Sequence, residues 1–547
     1  MGFLTPTPPP FDLEQWQALP HHAKLKPLAQ DWAVNGFGTP YAIYLLYAVK
    51  LVGYVAGAAV VIGTSHSWTE LEVYQKVVVW TLVYEILGLG CGSMPLTFRF
   101  LPPIGGFLYW LRPGTMRLPP WPDKVPLTKG TTRTVVDVLL YVGVLTSGIT
   151  LLATDGLLDR TVLVVLLACL VVLGLRDKAP FLAARPEQYA TILVVFLFPL
   201  NSTILALKLV MLAVWWGAAS SKLNQHFPYV VSVMISNTPW QRSKTLKRRL
   251  WKDFPNDLTP SRLSEAAAHG GTVIEFLVPL VLFLSTGGPV TTIALVIMVA
   301  FHVHITSTLP LGVPLEWNLF VIFSALFLFG HYADVHEFHS VSLALVLAAL
   351  LVGLPVLGNL RPDLVSFLPS MRYYAGNWAT SVWLFKKDGT EAAMGAAVTT
   401  SAPLVVQQLT TIYGADVAEL LLYKGLAFRA MHSHGRALGG LLHRAVEDLE
   451  DYQVREGELV AGALLGWNFG DGHLHGEQLL SAVQERCQLA PGQLRVITLE
   501  SQAFWKPRQP YRILDAATGE VERGWVAVSD MLSRQPWQGD AIAVSVA

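Results

Sequence analysis

Residues 179–220 read APFLAARPEQYATILVVFLFPLNSTILALKLVMLAVWWGAAS. A membrane-crossing helix needs roughly 20 mostly apolar residues to span about 30 Å, and proline kinks or ends a helix. Broken at Pro199-Leu200-Asn201, the stretch is therefore either two short crossings or one long kinked one. The choice sets the side on which everything downstream lies, and the distribution of basic residues makes it. The segment QRSKTLKRRLWK (241–252) has six Lys/Arg and no acid, and the 95–132 connection holds Arg99, Arg112, Arg117, Lys124 and Lys129. By contrast, SHSWTELEVYQ (65–75) and HYADVHEFHS (331–340) are almost free of Lys and Arg. Both basic loops face the cytoplasm only if 179–220 crosses twice.

Working outward, further candidate spans are 39–63, 73–94, 133–153, 159–175, 264–285, 289–306, 316–331 and 340–357. With 52% hydrophobic and 14% charged residues and a mean hydropathy of +0.45, the 547-residue chain is too apolar for an ordinary soluble protein. Lys+Arg and Asp+Glu are both 39, which removes the case for a nucleic-acid surface. Cys91, Cys169 and Cys487 are scattered and odd in number, so no disulfide framework is expected. From about residue 380 apolar runs shorten and charge rises. The stretch 403–465 has helical periodicity, QLRVITLESQAF (493–504) and RGWVAVSD (523–530) alternate like strands, and AATGEV (516–521) marks a hairpin turn. The expected fold is an all-α polytopic membrane bundle of about 9–10 spans with a C-terminal soluble α+β domain. Its parts are an N-terminal cytoplasmic or interfacial segment (1–38), a transmembrane domain (39–379) and a soluble domain (380–547). The location expected is a bacterial inner (plasma) membrane, with both termini cytoplasmic.

Ionisable groups inside membrane spans are costly and mark functional sites by default. Lys50, Glu85, Asp137 and Lys208 qualify, with snorkelling or local pairing as the ordinary explanation for Lys50, Asp137 and Lys208. Glu275 sits in HGGTVIEFLVP (269–279), on a helix read as starting with Thr259 as cap and Pro260 at its first position. That puts it about 22 Å along the axis, where a carboxyl group handles protons or contacts a ligand. In WWGAASSKLNQHFPYVV (215–231), Lys222 is a candidate base, with Trp216, Asn224 and His226 as substrate contacts; an interfacial aromatic belt explains the same letters. In AFHVHITSTLPLGVPLEWNLF (300–320), His302 and His304 are two apart and diverge by about 200° on a helix. They share a metal only if the helix has ended before STLPLGVP. Proton handling by one of them, in a polar cluster with Glu275 or Glu316, fits better.

The C-terminal FGDGHLHGEQLL (469–480) aligns Asp471, His473, His475 and Glu477 on one face if extended, which makes His473 and His475 the metal candidates. A polar Gly-rich surface loop reads identically. MHSHGRA (431–437) offers His432, His434 and Arg436 as further ligands or a grip on an anionic headgroup. The spacing of His331, His336 and His339 does not fit the paired-histidine boxes of di-iron membrane enzymes.

QDWAVNGFGTP (30–40), FLYWLRPGTMRLPPWP (107–122), SKLNQHFPYVVSVMISNTPW (221–240), LPLGVPLEWN (309–318) and SMRYYAGNWATSVWLF (370–385) together resemble a family of multi-spanning membrane proteins, found largely in actinobacteria, grouped as a domain of unknown function. More distantly, a span with SKLN followed by one with IEF is similar to the horizontally transferred transmembrane domain of the vitamin K-dependent gamma-carboxylase superfamily. That likeness implies a reduced-quinone reaction with Lys222 as the base. Taken together, the leading expectation is an intramembrane cavity lined by Lys222, Glu275, His302 and His304, with Glu316 nearby, binding or modifying a lipid- or quinone-like molecule. A quinone or a metal ion is the cofactor to look for, and membrane lipids are the expected partners. A transporter, or a scaffold recruiting a soluble cytoplasmic protein, is the alternative.

Overall fold

The computed structural model describes residues 2–63, 67–90, 104–122, 124–308, 314–373 and 375–547. Cys91, Arg99 and residues 309–313 lie outside the described residues. Two short N-terminal helices, α1 (Leu13–Gln17) and α2 (His21–Asn35), precede α3 (Tyr41–Ile62) and α4 (Leu71–Ile86). The connection carries α5 (Phe107–Trp110) and leads to α6 (Val135–Ala153) and α7 (Arg160–Arg176). A capping box of Thr134 and Asp137 starts α6, and the Asp159 carboxylate caps α7.

The decisive stretch resolves into α8 (Lys178–Ala183), a short α9 (Tyr189–Val195) and the long α10 (Thr203–Ser221), with the break at Pro199 to Ser202. Next come α11 (Phe227–Asn237), α12 (Lys244–Arg249) and a small hairpin, β1 (Trp251–Asp253) with β2 (Asp257–Pro260). Thr259 and Pro260 thus belong to a strand, and α13 (Arg262–Leu284) takes Ser261 as its cap, correcting the expected helix start. The hairpin wins because Leu258 is fully buried by closing it. Beyond α14 (Gly288–Thr306), α15 (Leu315–Ala325) continues as a wider π-type turn to His331, and α16 (Val341–Ala348) passes through a similar turn into α17 (Leu354–Leu360).

Each expected span contains helix, though the first half of 179–220 holds only the short α8 and α9, and six segments among the described residues are both long and apolar enough to cross a membrane: Tyr41–Ile62, Val135–Ala153, Leu200–Ser221, Arg262–Leu284, Gly288–Thr306 and Val341–Leu360. The rest are shorter: α4 has 16 residues, α7 has 17, and Leu315–His331 is a shorter apolar helix.

The loops sort to two ends. At one, Tyr332 donates to the Thr69 carbonyl at 3.0 Å, the Glu72 carboxylate accepts from Gly156 N at 2.9 Å, and Ser202 Oγ accepts from His339 N at 2.9 Å. Lys208 reaches the carbonyls of Ala333 and Val335 there, both at 3.0 Å, the local pairing expected of it. At the other end lies the C-terminal region. Its sheet runs β4 (Tyr452–Glu456), β3 (Thr380–Lys386), β5 (Leu494–Leu499), β6 (Arg508–Asp515), β7 (Gly519–Ala527) and β8 (Val544–Val546), all neighbours antiparallel. The AATGEV turn closes the β6–β7 hairpin as expected, with Asp515 Oδ1 accepting from Ala517 and Thr518 N.

Helices α18 (Thr390–Ala397), α19 (Val405–Tyr413), α20 (Ala415–Met431), α21 (Ser433–Ala445), α22 (Gly457–Leu465), α23 (Glu477–Cys487) and α24 (Val528–Ser533) complete the C-terminal region. β3 is buried on both faces because its alternating side chains enter two cores. Trp383 and Phe385 join the large core continuous with the membrane helices, while Val382 and Leu384 join a second core containing Trp16, Leu25 and Leu28 of α1 and α2.

Candidate functional site

Helix α10 presents two adjoining faces. On one, Leu209, Leu212, Ala213, Trp216, Gly217 and Ser220 recur at three- and four-residue spacing and wall a cavity of about 700 Å³. Its opposite wall is α16–α17, from Ala344 to Leu360, and Phe504 of the C-terminal region closes one end. The lining is almost wholly apolar, Ser220 and Asn359 apart. A wide π-type turn, Ala349–Gly353, joins α16 to α17 in this wall. Trp216 is the sequence candidate that lines the cavity, and its indole donates to the Phe276 carbonyl of α13 at 3.1 Å.

On the other face, Lys222 at the end of α10 donates to Glu275 Oε2, and both side chains are buried. The candidate base and the candidate acid are thus one ion pair, each neutralising the other inside an apolar bundle. Lys222 also sits over the Phe227 ring, 5.5 Å from its centre. Six residues before the end of α10, Trp215 donates its indole to His302 Nε2 at 3.0 Å, which leaves His302 Nδ1 to donate to Asn318 Oδ1 at 2.8 Å. That tautomer is neutral and fully satisfied. His302 therefore pairs with Asn318 rather than with Glu275 or Glu316. His304, two residues on, points the other way as helical geometry requires, and meets the exposed Trp240 edge-on at the helix end.

Glu316 belongs to a different cluster. A side-chain atom on Gly90 would strike both Glu85 and Glu316, so the two carboxyl groups converge there. Arg185 lies 3.2 Å from Glu85 and stacks over Trp317 and Phe469. Beside it, Tyr373 donates to Glu187 at 2.9 Å and Trp317 to Gln188. Arg185, Glu187 and Gln188 went unnoticed in the sequence. Their signal was present: RPEQ interrupts an apolar stretch long enough for two crossings.

Asn224 and His226, expected to touch a ligand, have their polar groups engaged in the fold. Asn224 Oδ1 caps α11 through His226 N and Phe227 N, and its amide donates to the Ala375 carbonyl at 2.9 Å. His226 bonds Ser433 at 2.8 Å and Gln502 at 3.0 Å, tying α11 to the C-terminal region. Burial pushes its imidazole down to about 4, so it is neutral at physiological pH.

The His473 and His475 pair rested on an extended strand, and this is corrected: residues 472–474 form a 3₁₀ turn and α23 begins at Glu477. His473 bonds Glu500 at 2.8 Å, whereas His475 Nδ1 meets Ser381 Oγ at 2.6 Å and burial pushes it down to about 3. The two rings serve different partners. Among the described residues no three His, Cys, Asp or Glu side chains gather as metal ligands.

No curated protein and no solved structure matches the chain; the likeness to the gamma-carboxylase superfamily stands on SKLN and IEF alone. A family model does match over residues 1–547, described as a transmembrane protein of unknown function (DUF3556). Matched along its whole length, with helices long enough to cross a bilayer and the family's membrane character, the chain belongs to the DUF3556 family of transmembrane proteins.

Proposed function

We propose that this protein is a ten-crossing membrane protein with both termini cytoplasmic, and that it holds a lipid-like molecule in the cavity between α10 and α16–α17. The loop contacts support the topology. Gln478 donates to the Pro119 carbonyl at 3.0 Å, Lys178 to the His473 carbonyl at 3.1 Å, and α2 packs against both α20 and the Leu250–Leu258 hairpin. Both basic connections and both termini therefore share one end of the bundle, and the positive-inside rule assigns that end to the cytoplasm. Residues 189–202 run from the Lys178 end to Ser202 beside His339, and α10 returns, so that 179–220 crosses twice.

The observation that carries the ligand reading is the cavity itself: about 700 Å³, walled by membrane helices and almost wholly apolar. A volume of several hundred Å³ suits a small lipophilic molecule or part of a longer chain. The Lys222–Glu275 pair and His302, expected to line the cavity, lie outside its lining, whose polar residues are Ser220 and Asn359. The reading is tested by lipid mass spectrometry on purified protein, with Ala344→Trp and Ala348→Trp filling the cavity from its exposed wall. Co-purifying lipophile should fall by about tenfold or more in these variants at unchanged yield. Equal retention by wild type and both variants would refute it.

A further inference from the structure

Beyond the membrane cavity, the loop that follows α17 carries a buried guanidinium with little to hold. Arg372 is 1% exposed, yet among the described residues it makes a single hydrogen bond, from Nη2 to the Val365 carbonyl at 3.3 Å. Among the same residues its Nε and Nη1 have no hydrogen-bond partner and no carboxylate lies within ion-pair distance. A buried charge left this way is costly, and an arginine usually meets the cost with two or three oxygen acceptors. Met371, in the left-handed region at φ 52°, turns the chain so that Arg372 enters the protein.

The charges of Glu500 and Asp471 both act on Arg372, which puts these residues near it though beyond ion-pair distance. Asp471 keeps one oxygen, Oδ2, without a partner, while its backbone N–H bonds Asn468 Oδ1 at 3.2 Å; the Asn468 amide nitrogen also lacks an acceptor. Both residues are at most 1% exposed. Glu500 is already committed to His473 and to Ser501 N, and Lys178 holds the His473 carbonyl and Gln478. Burial pulls His473 down, but the facing Glu500 more than offsets this, and its pKa lies above the ordinary value. Arg372, Asp471, Lys178 and the His473–Glu500 pair thus form one buried charged cluster. The His473–Glu500 pair, about one-fifth exposed, forms its rim toward solvent.

We propose that Arg372, with the Asn468 amide and the Asp471 carboxyl group, binds a phosphate group. Arg372 and Asn468 donate to its oxygens, and Asp471 Oδ2 accepts from a hydroxyl the ligand carries, the P–OH of inorganic phosphate or a glycerol hydroxyl of a phosphatidylglycerol headgroup. Ser370 packs on Gly358 of α17, which places the site just beyond the end of a membrane helix, at headgroup level. The phosphate belongs either to a lipid headgroup or to a soluble phosphoryl compound entering past His473. This assignment is independent of the cavity between α10 and α16–α17.

The test uses full-length protein in detergent, in chloride buffer, titrated at constant ionic strength with inorganic phosphate in one arm and phosphatidylglycerol in the other. The apparent Tm of the wild type should rise by about 3 °C or more in at least one arm. A response to inorganic phosphate identifies a soluble phosphoryl ligand, and a response to phosphatidylglycerol alone identifies a lipid headgroup. Arg372→Gln should raise the half-maximal concentration by about tenfold or more, and Asn468→Asp, which replaces a donor by an anion, should do the same. No shift in either arm for the wild type, or an unchanged half-maximal concentration in whichever of the two variants folds, would overturn the assignment. Lipophile retention in the same samples keeps this result separate from the cavity reading.

Discussion

At the scale of single residues, the buried polar groups of this protein are mostly satisfied by one another. Lys222 and Glu275 illustrate the consequence. Each is a costly charge alone in an apolar bundle, and together they neutralise one another. Lys222→Met should lower stability by about 3–5 kcal/mol, because it strands the Glu275 carboxylate, whereas Lys222→Met with Glu275→Leu should recover most of the loss. Thermal unfolding of the detergent-solubilised variants checks this; equal losses for the single and double variants would show that the pair contributes only packing. His302 follows the same logic through neutral partners, Trp215 and Asn318, and Arg372 departs from it.

At the scale of elements, the position of α10 is set by a close approach. A Cβ at Gly217 would lie 2.6 Å from the Met371 Cβ, so the helix can touch the 371 turn only where no side chain intervenes. Gly217→Val should therefore cost about 1–3 kcal/mol, measured by thermal unfolding, and should also reduce lipid retention, since Gly217 lines the cavity. A variant as stable as the wild type would show that the turn yields freely. Much of this level was legible in the sequence. Runs of apolar residues and the alternation in 493–504 located the helices and two strands, because the periods of the two structures differ. The start of α13 was misread, since Thr-Pro is an equally good strand end, and β3 escaped because both its faces are buried and no alternation shows.

At the scale of the whole molecule, the N-terminal helices are part of the C-terminal assembly. Trp16, Leu25 and Leu28 share a core with β3, β5, α20 and α21, so residues 1–38 and 380–547 are physically joined though distant in sequence. Reporters of membrane side fused to either terminus should therefore give the same answer, and the proposed topology predicts a cytoplasmic signal from both. Opposite sides for the two fusions would refute the even number of crossings.

The sequence by itself determined the membrane character, the helical segments and the family, because hydropathy, helical period and long shared phrases are local properties that survive without coordinates. Individual site residues were legible only as candidates: an ionisable group in an apolar run announces a cost, while its partner lies anywhere in the chain. Only the tertiary structure decided that Glu275 meets Lys222 across 53 positions, that Glu316 meets Glu85 rather than His302, and that Arg372 has no carboxylate within ion-pair distance among the described residues. Pairings of that kind depend on which helix faces pack together, and packing is a property of the folded whole.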